Sequence, residues 1–260
     1  MMPEHSSSKT FYTTFNRIFF MYYFIDLCCG LGSMTKAFEK TGAYQCVLAA
    51  DSDINMRNMF SLLFQGRMPL GTVESDQTRL GIRKSVYDLL LCSTIGVEED
   101  TSYKVLEIIE EEQPKAFVYE LGADAKDQGF YNVLRKFCKD HDYIFLNKDK
   151  NFAESIMNLD NFGIPEFCER VFVVGIKPEW CRWEEQDNPT LNFSHDFRCY
   201  QYGEYNPDKN PEQRKGLDWG FYRFMFLHGT NKEQKQEIIE RTTPLPMAAS
   251  VALDLLTYLI

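Results

Sequence analysis

The sequence has no Cys-x-x-Cys pair, no apolar run long enough to cross a membrane, and a deficit of positive charge. Its eight cysteines are Cys28, Cys29, Cys46, Cys92, Cys138, Cys168, Cys181 and Cys199, and the neighbouring Cys28 and Cys29 sit inside an apolar run rather than in a framework of spaced bridges. They read as reduced thiols, and the expected compartment is intracellular, cytoplasmic or nuclear. The apolar segment Ile18 to Leu27 is about half of the ~20 residues that a membrane span needs, and it ends in Asp26 and a glycine turn, so it reads as a buried strand. A secretory signal is not read either, because the residues before Arg17 are polar and no small-residue cleavage site follows. The formal net charge of −10 argues against a whole-surface nucleic-acid binder while leaving room for a local basic cleft. No metal site is expected.

What the chain does contain is core material: of its 260 residues 44% are hydrophobic and 15% aromatic, enough for one sizeable core with a small appended lobe. Residues 1–17 read as a frayed leader without visible chemistry. From Phe19 onward short apolar strands alternate with amphipathic stretches, the pattern of a doubly wound α/β sheet. Strands are expected at Met21–Leu27, Gln45–Ala50, Tyr87–Cys92, Ala116–Tyr119, Tyr143–Asn147 and Arg170–Ile176. Helices are expected at Met34–Thr41, Asn55–Phe64, Thr101–Glu112 and Gly129–His141, where apolar residues recur at spacings of three and four. A doubly wound, mostly parallel sheet with crossover helices follows, spanning residues 18–176. Residues 177–228, dense in Pro, Asn, Asp, aromatic and charged side chains, read as a small irregular lobe. In residues 229–260 helical spacing returns over Met247–Ile260, behind Pro244 and Pro246, to pack on the main domain.

The strongest local signal is Phe24–Ser33, FIDLCCGLGS, a buried strand leading through Gly30 and Gly32 into a helix. Glycines there let the backbone approach a ligand closely. By itself such a turn is also a sharp strand-to-helix corner. Asp51, at the end of the second strand in AADSD, stands where a carboxylate can accept hydrogen bonds from a ribose, or where it can cap the following helix.

The order of motifs resembles the cytosine-C5 methyltransferases from Phe24 to Leu256. FIDLCCGLGS resembles the family's first cofactor motif, Asp51 and Asp53 its acidic second, YDLLLC its fourth strand, and AFVYELG the strand bearing its glutamate. NFGIPEFCERVFVVGIK resembles the late arginine motif, and TTPLPMAASVALDLL the closing cofactor-side helix. The resemblance implies a Rossmann-like methyltransferase sheet with a small target-recognition lobe. It implies S-adenosyl-L-methionine, or its demethylated product S-adenosyl-L-homocysteine, held by Asp26, Leu27, Cys28, Gly30, Gly32, Asp51, Ser52 and Thr72, with Asp76 a displaced alternative to Thr72. In that family a cysteine attacks C6 of a flipped cytosine while a glutamate contacts the N3 edge, so that C5 takes the methyl group.

The chain departs from the family where the chemistry is done. The nucleophile position falls near Gly96 in CSTIGVEED, where there is neither cysteine nor proline, and Cys92 lies four residues early. Glu120 matches the family's glutamate, but Leu121 and Gly122 replace its Asn-Val neighbours. In the late motif Glu166, Cys168 and Arg170 stand for Gln, Arg and Arg, and near the C-terminus Glu240-Arg241 replaces Gly-Asn. The loop between Gly96 and Glu120 is shorter than the family's mobile lid. Glu120 and Arg170 therefore read as relics of a catalytic site. Lobe residues Trp180, Arg182, Trp183, Arg198, Tyr200, Tyr202 and Tyr205 are candidates to stack bases or grip phosphates, or to form a minor core.

Three functions stay open. The first is a catalytically inactive paralogue, acting as the regulatory partner of an active methyltransferase or as a nucleic-acid and cofactor binder. The second is an active DNA or tRNA methyltransferase with a relocated nucleophile such as Cys92. The third is a protein-interaction module on the same scaffold. No membrane partner is expected.

Overall fold

The computed structural model describes residues 21–147, 151–162, 168–182, 191 and 242–259. The expected leader, most of the irregular lobe, and the positions Glu166, Trp183, Arg198, Tyr200, Tyr202, Tyr205, Glu240 and Arg241 lie outside them.

The chain alternates β1 (Tyr22–Leu27), α1 (Ser33–Lys40), β2 (Tyr44–Ala50), α2 (Ile54–Leu63), α3 (Asp76–Lys84), β3 (Leu89–Ser93), α4 (Glu99–Glu112), β4 (Ala116–Leu121), α5 (Ala125–Asp140) and β5 (Ile144–Leu146). A short α6 (Phe152–Ser155), a two-residue β6 (Met157–Asn158), β7 (Glu169–Ile176) and α7 (Leu245–Tyr258), with 3-10 turns at Leu159–Phe162 and Pro178–Trp180, complete the described elements. The strand order is β2-β1-β3-β4-β7-β5, with β6 pairing to β7 alone. β1 pairs in parallel with β2 and β3, and β3 with β4.

Every strand at the centre is buried on both faces, and the side-chain alternation of a strand divides its residues between two apolar layers. On β3, Leu89 and Leu91 enter a layer shared with Phe24, Phe38, Phe60, Val118 and Leu255. Leu90 and Cys92 enter the opposite one with Ile25, Ile82, Ile109, Phe117 and Leu134. Helices α1, α2 and α7 thus cover one face, and α3, α4 and α5 the other, which is the doubly wound α/β architecture expected from the sequence.

β7 is the exception to parallel direction in this mostly parallel sheet. It runs antiparallel between β4 and β5, with Val118 opposite Val174 and Leu146 also opposite Val174. An apolar run buried on both faces has the same composition in either direction, so periodicity does not report polarity. β7 lies close over its neighbour: a Cβ added to Gly175 would collide with the Phe117 ring.

Helix α3 is an element the pattern did not announce. Leu80 and Ile82 are its only large apolar residues, and Leu80 is half exposed. The helix is set by its ends instead: the Ser75 hydroxyl accepts the Thr78 N–H at 3.2 Å, with Arg83 and Lys84 in the last turn. Arg79 and Arg83 then reach Glu111 on α4 at 3.3 and 3.4 Å. Helix α5 begins four residues before the expected Gly129, because the Asp124 side chain caps it by accepting the Asp127 N–H at 2.9 Å. Among the described residues no helix is long and apolar enough to cross a membrane.

Candidate functional site

The carboxyl ends of β1, β2 and β3 meet at one edge of the sheet, where open α/β sheets place their ligands. β1 ends in a turn with three left-handed residues, Cys28 at φ 59°, Gly30 at 53° and Gly32 at 79°. Gly32 has a second reason to be glycine: a Cβ there would sit 2.5 Å from the rings of Phe60 and Phe64, so its absence lets α2 close on the turn.

The turn is tied to β2 by Asp51. Its carboxylate accepts the Gly30 N–H and the Asp53 N–H, each at 2.8 Å. Burial pushes this carboxyl above its usual range, and those two N–H bonds pull it back. The capping alternative for Asp51 is settled by geometry, since Asp53 is the residue that caps α2, accepting the Asn55 N–H at 2.8 Å.

Between the three strand ends lies a cleft of about 450 Å³, within the range of small-molecule sites. Cys28, Gly30, Asp51, Ser52 and Thr72 line it, and so do Gly96 and its neighbours Ile95 and Val97. Asp26 and Leu27 lie beneath it rather than on its wall, and Gly32 opens α1 at its margin. Asp76 sits in the first turn of α3, outside the cleft, while Thr72 donates its hydroxyl to Glu74 on the wall. The lining also includes Cys29, Ser33, Met56, Glu74, Glu98, Thr101, Thr242 and Thr243, none of which was singled out from the sequence. They arrive from five separate segments; Cys29 and Ser33 belong to FIDLCCGLGS, Glu98 to CSTIGVEED, and Thr242 and Thr243 to the closing-helix motif, while Met56, Glu74 and Thr101 belong to none of the quoted motifs.

Asp26 supports the turn from below. It is 1% exposed, accepts the Thr35 hydroxyl at 2.5 Å, and is pushed up to about 7 chiefly by burial; the Thr35 bonds oppose the shift, and the charges of Asp51 and Glu120 add to it.

On the segment that follows β3, Gly96 is left-handed at φ 71° and carries no side chain toward the cleft it lines. The preceding loop is anchored by Thr94, whose N–H and hydroxyl donate to the Glu120 carbonyl at 2.9 and 3.0 Å. The Glu120 side chain has no solvent exposure. Arg170 Nε donates to its Oε1 at 3.0 Å, and the Thr243 hydroxyl donates to its Oε2. Arg170 also donates from Nη1 to the Glu169 carbonyl at 2.8 Å. Glu120 and Arg170 are thus brought together, but in the sheet and not on the cleft wall.

Cys92 does not reach the cleft. It is fully buried on β3, paired with Leu27 and Tyr119 in the strand register, and burial pushes its thiol up, away from the reactive thiolate. The thiols that do line the cleft, Cys28 and Cys29, both belong to the β1 turn. Burial also pushes the Cys29 thiol up. The seven described cysteines are free, and Cys199 lies outside the described residues.

Comparison with known proteins places this geometry. Residues 22–243 match the family model for C-5 cytosine-specific DNA methylase. Among curated relatives, the type II methyltransferase M.HpaII of Haemophilus parainfluenzae is 29% identical over 169 residues, covering 58% of this chain and 45% of its own length. M.NgoBI of Neisseria gonorrhoeae is 28% identical over 175 residues, covering 60% of this chain and 50% of its own. The chain therefore spans about half the length of the curated relatives it matches. Among solved structures, the Dnmt2 methyltransferase of S. pombe superposes with a TM-score of 0.61 at 10% identity, covering 90% of this chain and 98% of that one. The methyltransferase EhMeth of Entamoeba histolytica gives the same values and the same Rossmann-like fold.

Proposed function

Because the chain belongs to the C-5 cytosine-specific DNA methylase family, whose members use S-adenosylmethionine and act on DNA, we propose that it binds that cofactor but does not carry out C5 transfer. It acts instead as a non-catalytic paralogue, a regulatory partner of an active methyltransferase or of the nucleic acid that such an enzyme modifies.

One observation carries the reading. At the position that the resemblance assigns to the family's nucleophile the residue is Gly96, and the described thiols that line the cleft, Cys28 and Cys29, come from the β1 turn instead. Cytosine C5 is not nucleophilic enough to accept a methyl group until C6 has been attacked, so a site without that thiolate lacks the step on which the rest depends. The Glu120 carboxylate is also committed to Arg170 and Thr243 in the sheet.

The cofactor half fits better. When bound, the cofactor supplies an electrophilic methyl group. Asp51 is the residue to hold ribose hydroxyls, the Gly30 turn allows close backbone approach, and Met56 and Val73 offer apolar surface for a purine. Asp26 and Thr35 keep the turn in place beneath them.

The test is transfer of labelled methyl to DNA and to tRNA, run beside calorimetric titration of the cofactor. Binding without transfer is the expected result. Turnover that disappears in Cys92→Ala or Cys28→Ala, with the fold intact, would overturn it.

A further inference from the structure

Two thiols meet where β1 runs alongside β3. In the parallel register Leu27 stands opposite Cys92, and both side chains enter the same apolar layer. Alternation along β1 would send the next residue, Cys28, to the opposite layer and Cys29 back again. The left-handed backbone at Cys28, φ 59°, reverses this order: Cys28 packs against the layer that holds Cys92, and Cys29 enters the other. Neighbouring strands run about 4.8 Å apart and disulfides join Cα atoms roughly 4.4–6.8 Å apart, so a residue one step past a paired position lies within bridging reach. The Cys92 thiol is pushed up first by burial and then by a hydrogen bond with the Cys28 thiol.

The two sulfurs differ in access. Cys28 is half-buried and lines the cleft, whereas Cys92 has no solvent exposure and lies behind it. Cys29, beside Cys28 on the wall, is committed elsewhere: its thiol donates to the Gly30 carbonyl at 3.8 Å, and burial pushes it up. An oxidant small enough to enter the cleft therefore meets Cys28 first. A reachable thiol backed by a second one is the arrangement of a redox-responsive pair.

We propose that Cys28 and Cys92 form a dithiol that peroxides convert to a disulfide through the cleft, and that a ligand filling the cleft suppresses this reaction. Hydrogen peroxide is the simplest reactant of that class. The Cys28 sulfur attacks one peroxide oxygen, the O–O bond breaks, and hydroxide leaves with the thiol proton as water. The Cys92 sulfur then attacks the Cys28 sulfenic acid: the S–S bond forms, the S–O bond breaks, and the hydroxyl leaves with the Cys92 proton as a second water. Two thiols are oxidised and one peroxide is reduced to two waters. The bridge ties the β1 turn to β3 at the cleft wall, so the site records oxidant only while it stands empty. The occupancy half of this proposal rests on the cofactor reading above, and the dithiol half does not.

The experiment treats the reduced full chain with hydrogen peroxide, alkylates the remaining thiols, and reads non-reduced peptides by mass spectrometry. The expected product has lost two hydrogens, carries a peptide linking Cys28 to Cys92, and reverts with dithiothreitol. Cys28 and Cys29 are adjacent, so variants assign the bond: Cys28→Ser abolishes the link and Cys29→Ala retains it. In Cys92→Ala, with folding checked by circular dichroism, Cys28 has no resolving partner and gains two oxygen atoms as the sulfinic acid. With S-adenosylhomocysteine at ten times its calorimetric Kd, the empty fraction and the linking rate both fall about tenfold. Absence of a Cys28–Cys92 link in the native protein, or a link through Cys29 instead, overturns the dithiol. A link that forms at an unchanged rate while calorimetry shows the ligand bound overturns the occupancy half. No heat from the ligand, with the link formed all the same, overturns the cofactor reading and the occupancy half together and leaves the dithiol standing.

Discussion

Arg170 donates from Nε to the Glu120 carboxylate at 3.0 Å, joining β7 to β4 through an ion pair with almost no access to water. In such a place the pair matters mainly through what its removal exposes, because a charge left alone in the interior is far more costly than the pair is favourable. Arg170→Met is expected to lower unfolding free energy by about 3–5 kcal/mol. The double variant Glu120→Leu/Arg170→Met, which removes both charges, is expected to recover most of that loss. Urea denaturation of the three proteins decides it, and a double variant as unstable as Arg170→Met would sink the argument.

The two glycines of the β1 turn are expected to respond differently to alanine. Both are left-handed, which costs a Cβ-bearing residue roughly 1–2 kcal/mol. A Cβ at Gly30 meets nothing within 4 Å, whereas one at Gly32 is driven into Phe60 and Phe64. Gly32→Ala adds overpacking of about 1–3 kcal/mol to the backbone strain. Thermal unfolding should therefore show a clearly larger drop in Tm for Gly32→Ala than for Gly30→Ala.

Stability is expected to fall as pH rises through neutrality, with Asp26 as a named contributor. Its carboxyl titrates at about 7 in the folded protein against an ordinary 3.8, so between those values the folded state holds a proton that the unfolded chain has released. Stability from this group is fully present below the ordinary value and is lost progressively up to about 7. Each unit of displacement is worth roughly 1.4 kcal/mol. Asp26→Asn keeps the shape and removes the titration, so its unfolding free energy should decline less between about pH 5 and pH 8 than that of the unaltered chain. Parallel slopes in the two proteins would assign the pH dependence elsewhere.

Thiol labelling separates the cysteines by position. Cys28 is half-buried on the cleft wall, while Cys92 is enclosed in the core with its thiol pushed up. Iodoacetamide applied to the native protein should modify Cys28 well before Cys92, as read by peptide mass spectrometry, and Cys92 should label only on unfolding. S-adenosylhomocysteine in excess should slow modification of Cys28. Early labelling of Cys92 would put that sulfur within reach of solvent and reopen its candidacy as a nucleophile.

The strands and most helices were legible because each carries its own pattern: β1, β3 and β4 are short apolar runs between polar turns, and the major helices repeat apolar residues at three and four. Helix α3 was not, because its surface is held by Arg79 and Arg83 to glutamates on α4 instead of by an apolar stripe. Strand direction was hidden for β7, whose residues are buried on both faces either way. At the site, Asp51 could be read from its place after β2, and Gly96 from its distance beyond β3. Thr243 could not: it meets Glu120 across 123 positions, and nothing in the residues between announces the contact. Glu74 and Glu98 had the same difficulty, since a glutamate in a loop is ordinary until the fold shows which hollow it borders.

The hydrogen bond from the Tyr44 hydroxyl to the Ala252 carbonyl, at 2.9 Å, spans 208 positions and fastens α7 against the outermost strand. Among the described residues, one apolar layer of the sheet is assembled from residues no later than Val173, but the other needs Met247, Val251 and Leu255. As the polypeptide leaves the ribosome, its two sides therefore mature at different moments: one can be sealed early, and the other stays bare until the last fourteen-residue helix has been made. Any shortened product ending before that helix inherits an oily flank along α1 and β2, and with it a tendency to aggregate rather than a smaller working protein.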